Sequence, residues 1–219
     1  NGKPLFVEKS ATGDQLKVRI TNQTKESLRG EIVEIIKAGP ERVTPPCPYY
    51  TRCGGCSLQH ISVGAYQAGK RKVLSDALAH SGFPDTKADI TFLPAASRRR
   101  AELKFDGARF AYYAPRSRDL VAIDNCLILE PALQALLAPL AKQLGKWYAV
   151  RAIKTVSLTA TDSGIDMVLE CSSRVEDTAA LSQLAETLNI ARISMAVAGE
   201  QTLTVVSRAA VTLTIGGYD

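Results

Sequence analysis

The chain is 219 residues long, 46% hydrophobic and 22% charged, a globular composition that excludes a disordered or collagen-like protein. No apolar run reaches the roughly 20 residues that a bilayer span needs, and no signal-peptide pattern opens the sequence. No membrane partner is therefore expected, and a cytoplasmic location is. With 27 Lys+Arg against 22 Asp+Glu the net charge is +5, and it is unevenly placed: residues 47–126 carry +5, whereas 127–219 carry −2. That concentration points to a polyanion-facing surface in the middle of the chain, the alternative being an ordinary solvated face.

Three short strands are predicted first, Pro4–Val7, Gln15–Ile20 and Gly30–Ile36, with Thr21–Lys25 as a loop. Three strands bury both faces of a sheet poorly, so this segment reads as a small β-barrel short of its first strand. Pro40 and the Pro45-Pro46 pair then punctuate the chain, and residues 47–62 follow neither period, as a structured loop does. Ser62 caps a helix with Tyr66, Val73, Leu74, Ala77 and Leu78 on one stripe and Lys70, Arg71 and Lys72 on the other side; Ser81-Gly82 stops it. Strands are predicted at Ile90–Leu93, Arg100–Phe105 and Arg109–Tyr113, the last two joined by an Asp106-Gly107 turn. Pro131 starts a helix with Leu133, Leu136, Leu137, Leu140 and Leu144 on one face and Gly145 at its end. The tail reads as strands 152–160 and 165–171, a helix 176–188, and strands near 192–198, 202–207 and 210–215. That order indicates an α+β domain with helices covering an antiparallel sheet.

Five cysteines argue against a complete disulfide framework, and three of them fall within ten residues. Such a cluster in a reducing compartment reads as a metal or redox site. Cys47, Cys53 and Cys56 form C-x5-C-x2-C, with Gly54-Gly55 between the last two letting backbone N–H groups approach a cluster closely. Cys126 can supply a fourth thiolate from a distance, and four thiolates favour iron–sulfur or zinc. Cys56-x3-His60 has zinc-like spacing, so a Cys3His zinc site stands beside that reading. Cys171, inside an apolar strand, reads as core.

Pro46-Cys47-Pro48-Tyr49-Tyr50, Cys53-Gly54-Gly55-Cys56-Ser57-Leu58-Gln59-His60 and the sequence that follows closely resemble the cluster motif of the S-adenosylmethionine-dependent RNA (uracil-C5)-methyltransferases. Arg98-Arg99-Arg100-Ala101-Glu102-Leu103-Lys104-Phe105 looks like that family's Arg-rich strand, and Leu120 to Pro131 like the segment carrying its fourth ligand. The resemblance covers residues 2–145. It implies a partial TRAM domain (an OB-like RNA-binding β-barrel) over residues 1–45, followed over 46–219 by an antiparallel-sheet α+β central domain bearing the cysteine loop 47–62. It further implies that Cys47, Cys53, Cys56 and Cys126 bind a four-iron four-sulfur cluster and that His60 is not a ligand.

The same family binds S-adenosylmethionine through a Gly-rich turn after a strand, and the only late glycine pair here is Gly216-Gly217. None of the five cysteines matches the family's nucleophile motif, so no catalytic residue is assigned. The expectation is an RNA-binding front portion whose C-terminal catalytic domain, with its S-adenosylmethionine, is missing, and which is inert alone. Its partner would be a structured ribosomal or transfer RNA presenting an accessible uridine. The candidate RNA contacts are Lys25, Arg52, Arg98, Arg99, Arg100, Lys104, Arg116 and Arg118, with Tyr49, Tyr50, Tyr112 and Tyr113 for base stacking. Alternation puts Arg98 and Arg100 on one strand face and Arg99 on the other, so all three cannot contact one RNA surface, and one of the three is expected to pair with an acid such as Glu102 or Asp124. The rival reading is a stand-alone zinc-binding RNA-binding module without enzymatic activity.

Overall fold

The computed structural model describes residues 2–147 and 150–214. Their contacts form two compact units, Asn1–Thr51 with Cys56–Phe92, and Arg52–Gly55 with Leu93–Asp219. The expected division at residue 45 falls inside the first of these.

The first unit holds a three-stranded sheet in the order β1-β3-β2, built from β1 (Leu5–Val7), β2 (Gln15–Gln23) and β3 (Leu28–Lys37). Strand β2 runs antiparallel to β3, and β1 runs parallel to it. The expected loop at Thr21–Lys25 is shorter than read, because Asn22 and Gln23 continue the ladder opposite Arg29 and Leu28. Among the described residues this sheet is open, not a closed barrel, and Gly30 is its only buried position. A Cβ on Gly30 would lie 2.3 Å from Val18 Cγ1, so only glycine lets β2 pack there without a shift.

Helix α1 (Val63–His80) begins where Ser62 Oγ accepts the Ala65 N–H at 3.3 Å. Its predicted apolar stripe is not core: none of its 18 residues is buried. The spacing specifies a helix but not a partner to cover it. Ile90–Leu93 forms no strand either. Phe92 instead meets Tyr66 edge-on at 6.1 Å and sits under Arg71, and Pro94 would withhold a ladder donor.

One ion pair organises the entry to the cysteine loop. Arg42 grips Asp14 through Nε at 2.9 Å and Nη2 at 2.5 Å, and Nη2 also donates to the Lys9 carbonyl at 2.7 Å. Asp14 further accepts the amides of Ala11 and Gly39. The Asp14 side chain is 1% exposed and that of Arg42 12%. The guanidinium bonds, helped by the two amides, hold the Asp14 carboxyl far below the usual carboxylate range against the opposing effect of burial.

The second unit is a seven-stranded sheet in the order β10-β9-β8-β7-β4-β5-β6. Its members are β4 (Arg100–Phe105), β5 (Phe110–Tyr113), β6 (Leu120–Ile123), β7 (Ile153–Thr161), β8 (Gly164–Cys171), β9 (Ile190–Val197) and β10 (Leu203–Ser207). All neighbours are antiparallel except β8 and β9, which are parallel because α3 (Thr178–Thr187) carries the chain back between them. The expected purely antiparallel sheet is corrected at that one pair. Residues 210–214 form no strand, and 215 lies outside the described residues, as does the Gly216-Gly217 pair.

Helix α2 (Pro131–Leu144) buries Leu133, Leu136, Leu137, Leu140 and Leu144, every position of the predicted stripe. Helix α3 adds Leu181, Leu184 and Ala185, capped by Asp177, whose Oδ1 accepts the Ala180 N–H at 3.0 Å. The sheet meets this core with Ala101, Leu103, Phe105, Val156, Leu158, Met167 and Leu169. Cys171 is buried there too, as read. Period-two alternation turns Arg100, Glu102 and Lys104 to the opposite face.

Breaking the Arg42–Asp14 pair leaves a buried charge, so Arg42→Met should destabilise the first unit by about 3 kcal/mol at pH 7. Asp14 is depressed in the folded state, so its contribution is complete above its ordinary 3.8 and lost as pH falls below that value. Denaturant unfolding at pH 7 and pH 3 should show the gap between wild type and variant narrowing at the lower pH.

Candidate metal centre and nucleic-acid interface

The cysteine loop contributes to both units, and none of the five cysteines is in a disulfide. Cys47 and Cys56 belong to the first unit, Cys53 and Cys126 to the second, and all four are partly exposed. Among the described residues no three His, Cys, Asp or Glu side chains are already gathered in a metal-holding group.

In the first unit Tyr50 is buried, its N–H bonded to the Cys47 carbonyl at 3.1 Å. Its hydroxyl lies 2.7 Å from the Ser57 carbonyl and 2.6 Å from His60 Nδ1. His60, only 1% exposed, places Nε2 3.1 Å from the Ser10 carbonyl. Both ring nitrogens are therefore committed, and the zinc-like Cys56-x3-His60 spacing does not present a free imidazole donor. Lys9 closes the other side, donating to the carbonyls of Tyr50 and Thr51 with its ammonium 4.8 Å above the Tyr50 ring. Burial first, and Cys56 after it, push the Tyr50 hydroxyl pKa up. Tyr50 is thus a structural residue and not a stacking platform.

In the second unit Gly54 donates to the Tyr113 carbonyl at 2.9 Å, and a Cβ on Gly54 would lie 2.8 Å from that oxygen. Glycine is required for this approach of the loop to β5. The Gly55 amide points at Cys53 Sγ, 3.4 Å away. Residues 126–130 run beside the start of the Arg-rich segment: Arg98 N donates to the Ile128 carbonyl and Glu130 N to that of Arg98. The Tyr112 hydroxyl senses both cysteines of this unit. Its buried Oη has no conventional hydrogen bond, and its pKa is raised first by burial and then by the Cys126 thiol, with Cys53 adding to the effect and Arg98 opposing it. Sequence reasoning placed Tyr112 among the stacking residues; the alternation of Phe110–Tyr113 was the signal that could have turned it inward.

The basic candidates separate. Arg98 and Arg100 are exposed. Arg99 is tied down, 2.9 Å from Asp162, 3.8 Å from Glu130 and bonded to the Ala160 carbonyl; its acids are these, not Glu102 or Asp124. Lys104 is half-buried, donating to Thr155 Oγ1 at 2.7 Å, with its ammonium 5.7 Å from the Tyr113 ring centre. Arg116 and Arg118 are exposed on the turn between β5 and β6, Arg116 with a left-handed φ of 53°. Arg52 is exposed beside Cys53, and Lys25 is exposed on the β2–β3 turn of the first unit. Tyr49 is partly buried.

No family model matches the sequence. The chain is 37% identical over 177 residues to the 23S rRNA (uracil(1939)-C(5))-methyltransferase RlmD of Chromohalobacter salexigens, covering 77% of this chain and 37% of that protein. It is 38% identical over 177 residues to the RlmD of Erwinia tasmaniensis, covering 77% of this chain and 40% of that one. The chain is similar to RNA uracil-C5 methyltransferases. It spans about two fifths of the length of the curated relatives it matches. Its fold resembles the Pyrococcus abyssi tRNA (uracil-54, C5)-methyltransferase in complex with S-adenosyl-L-homocysteine, with a TM-score of 0.64, 17% identity, and coverage of 95% of this chain and 49% of that one. Among the described residues no helix is long and apolar enough to cross a membrane.

Tyr112→Phe should remove one tyrosine from the most alkaline part of the spectrophotometric titration, because the buried hydroxyl resists ionisation. A variant curve that loses amplitude at the low-pH end instead would show that the Tyr112 hydroxyl is not buried.

Proposed function

We propose that these residues bind and position RNA within an S-adenosylmethionine-dependent enzyme that methylates C5 of a uridine in ribosomal or transfer RNA. The observation that carries this reading is the 37% identity over 177 residues to a 23S rRNA uracil-C5 methyltransferase. No residue of the chain is assigned to S-adenosylmethionine binding or methyl transfer, and the portion is expected to be inactive alone. The first unit's three strands are read as part of a TRAM-type RNA-binding domain. A cytoplasmic setting follows from an RNA substrate.

Cys47, Cys53, Cys56 and Cys126 are proposed as the thiolate ligands of a four-iron four-sulfur cluster. Their chemistry fits: four partly exposed thiols outside any disulfide, a Gly55 amide directed at Cys53, and a buried Tyr112 hydroxyl that senses Cys126 and Cys53. A bound cluster would supply structural cross-linking. The Cys3His form of the rival zinc reading needs His60, whose two nitrogens are already spent on Tyr50 and Ser10.

For RNA, exposed Arg98 and Arg100 are the primary contacts, with Lys104, Arg116, Arg118, Arg52 and Lys25 beside them. Arg99 serves the fold through Asp162 and Glu130. Arg98→Ala with Arg100→Ala should weaken binding of a uridine-containing single-stranded RNA and flatten its salt dependence by about one to two phosphate contacts. Arg99→Ala should lower thermal stability more than it changes the salt slope. An unchanged slope in the Arg98/Arg100 double variant would remove this segment from the interface.

A further inference from the structure

A pocket of about 540 Å³ opens on the face of the seven-stranded sheet opposite the one covered by α2, within the size range of small-ligand sites. Four cations line it: Lys104 from β4, Arg118 from the β5–β6 turn, Arg151 from the short 3-10 helix that leads into β7, and Lys154 from the start of β7. Strand register builds its apolar wall, because Tyr113 on β5 lies opposite Leu120 on β6. Both are large and open, Tyr113 44% exposed and Leu120 46%. Sequence reasoning singled out Lys104, Arg118 and Tyr113 separately. Arg151 and Lys154, 47 and 50 residues beyond Lys104, reach the same place only because β7 pairs with β4, as in Lys104 opposite Thr155.

The acids around the pocket do not neutralise it. Asp106 spends Oδ1 on the amides of Ala108 and Arg109, and its nearest cation is Arg109, at 4.0 Å. Glu102 stands 3.7 Å from Lys104. Among the described residues Arg118, Arg151 and Lys154 pair with no acid; Lys154 meets only the Arg151 carbonyl, at 3.4 Å. Three cations without counter-ions around an exposed tyrosine face suit a ligand with phosphates and a flat ring. An unstacked nucleotide has both.

We infer that this pocket is a nucleotide subsite for single-stranded RNA, in which one base stacks on Tyr113 against Leu120 and flanking phosphates lie between Arg118, Arg151 and Lys154. This rests on the RNA-binding reading above and adds a second contact region to it, distinct from the Arg98–Arg100 segment. Lys104, held by Thr155 with its ammonium over the Tyr113 ring, 5.7 Å from its centre, leaves the flanking phosphates to Arg118, Arg151 and Lys154.

The test is fluorescence-anisotropy titration of the full chain with a labelled single-stranded oligouridine and with an RNA duplex, across a salt series. Arg151→Ala with Lys154→Ala should weaken single-strand binding roughly ten-fold at low salt and lower the salt slope by about 1.4, the value for two phosphates on a single strand. Tyr113→Ala should also cost roughly ten-fold, whereas Tyr113→Phe, which keeps the ring, should bind like wild type. Melting temperatures equal to wild type's would confirm that the variants are folded, as expected for exposed positions. If Arg98/Arg100 variants lose binding while the pocket variants bind normally, the subsite is wrong and the RNA reading stands. Equal loss of duplex and single-strand binding in Tyr113→Ala would overturn the stacking role. No RNA binding by the wild-type chain would overturn both.

Discussion

The contact on which the second unit's chemistry depends is the approach of Gly54 to the carbonyl of Tyr113. It fastens the glycine pair of the cysteine loop to strand β5, and no residue with a Cβ fits there without displacing backbone. Because β5 alternates, its two tyrosines then serve opposite faces. Tyr112 turns its buried hydroxyl towards Cys126 and Cys53, while Tyr113 offers an open ring beside Lys104. A single pinned strand thus carries a thiol-rich side and a cation-rich side back to back.

Charge is divided along the same lines. The arginines that resemble one another in sequence do different work, since strand geometry allows only every second side chain onto a given surface. Arg99 is held by Asp162 and Glu130 and helps join the start of β4 to its neighbours, whereas Arg98 and Arg100 remain open to solvent. In the first unit Arg42 behaves like Arg99, its guanidinium consumed by Asp14 and the Lys9 carbonyl. The bonds of Lys9 to Tyr50 and Thr51, of His60 to Tyr50 and of the Tyr50 N–H to the Cys47 carbonyl then hold the start of the cysteine loop. A modest net charge of +5 therefore understates the distinction that matters, between cations already neutralised and cations available to a polyanion.

Legibility from sequence followed the length scale of the forces involved. Helix α2 could be read to the residue because Pro131, a leucine at each core-facing turn and Gly145 are all local signals. The hairpin at Asp106-Gly107 was legible for the same reason: Asp106 Oδ1 takes two amides of its own turn, and Gly107 adopts φ +96°. The parallel pairing of β8 and β9 was not, since alternation in a strand is the same whichever way its neighbour runs. The stripe on α1 showed a helix but not whether anything covers it. His60 gave a ligand-like spacing, and only the fold reveals that Tyr50 and Ser10 occupy its nitrogens. The pocket cations Arg151 and Lys154 were invisible for a similar reason, as long-range pairing of β4 with β7 brings them to Tyr113.

On the proposed function, the four cysteines of the loop and of the segment before α2 form a thiolate ligand set on an RNA-binding scaffold. Iron and acid-labile sulfide analysis of anaerobically prepared protein, comparing wild type with Cys126→Ser, tests this most directly. The expected result is a brown wild-type protein with iron and sulfide in equal amounts and a Cys126→Ser variant that has lost both. Stoichiometric zinc without sulfide in the wild type, or unchanged iron in the variant, would contradict it.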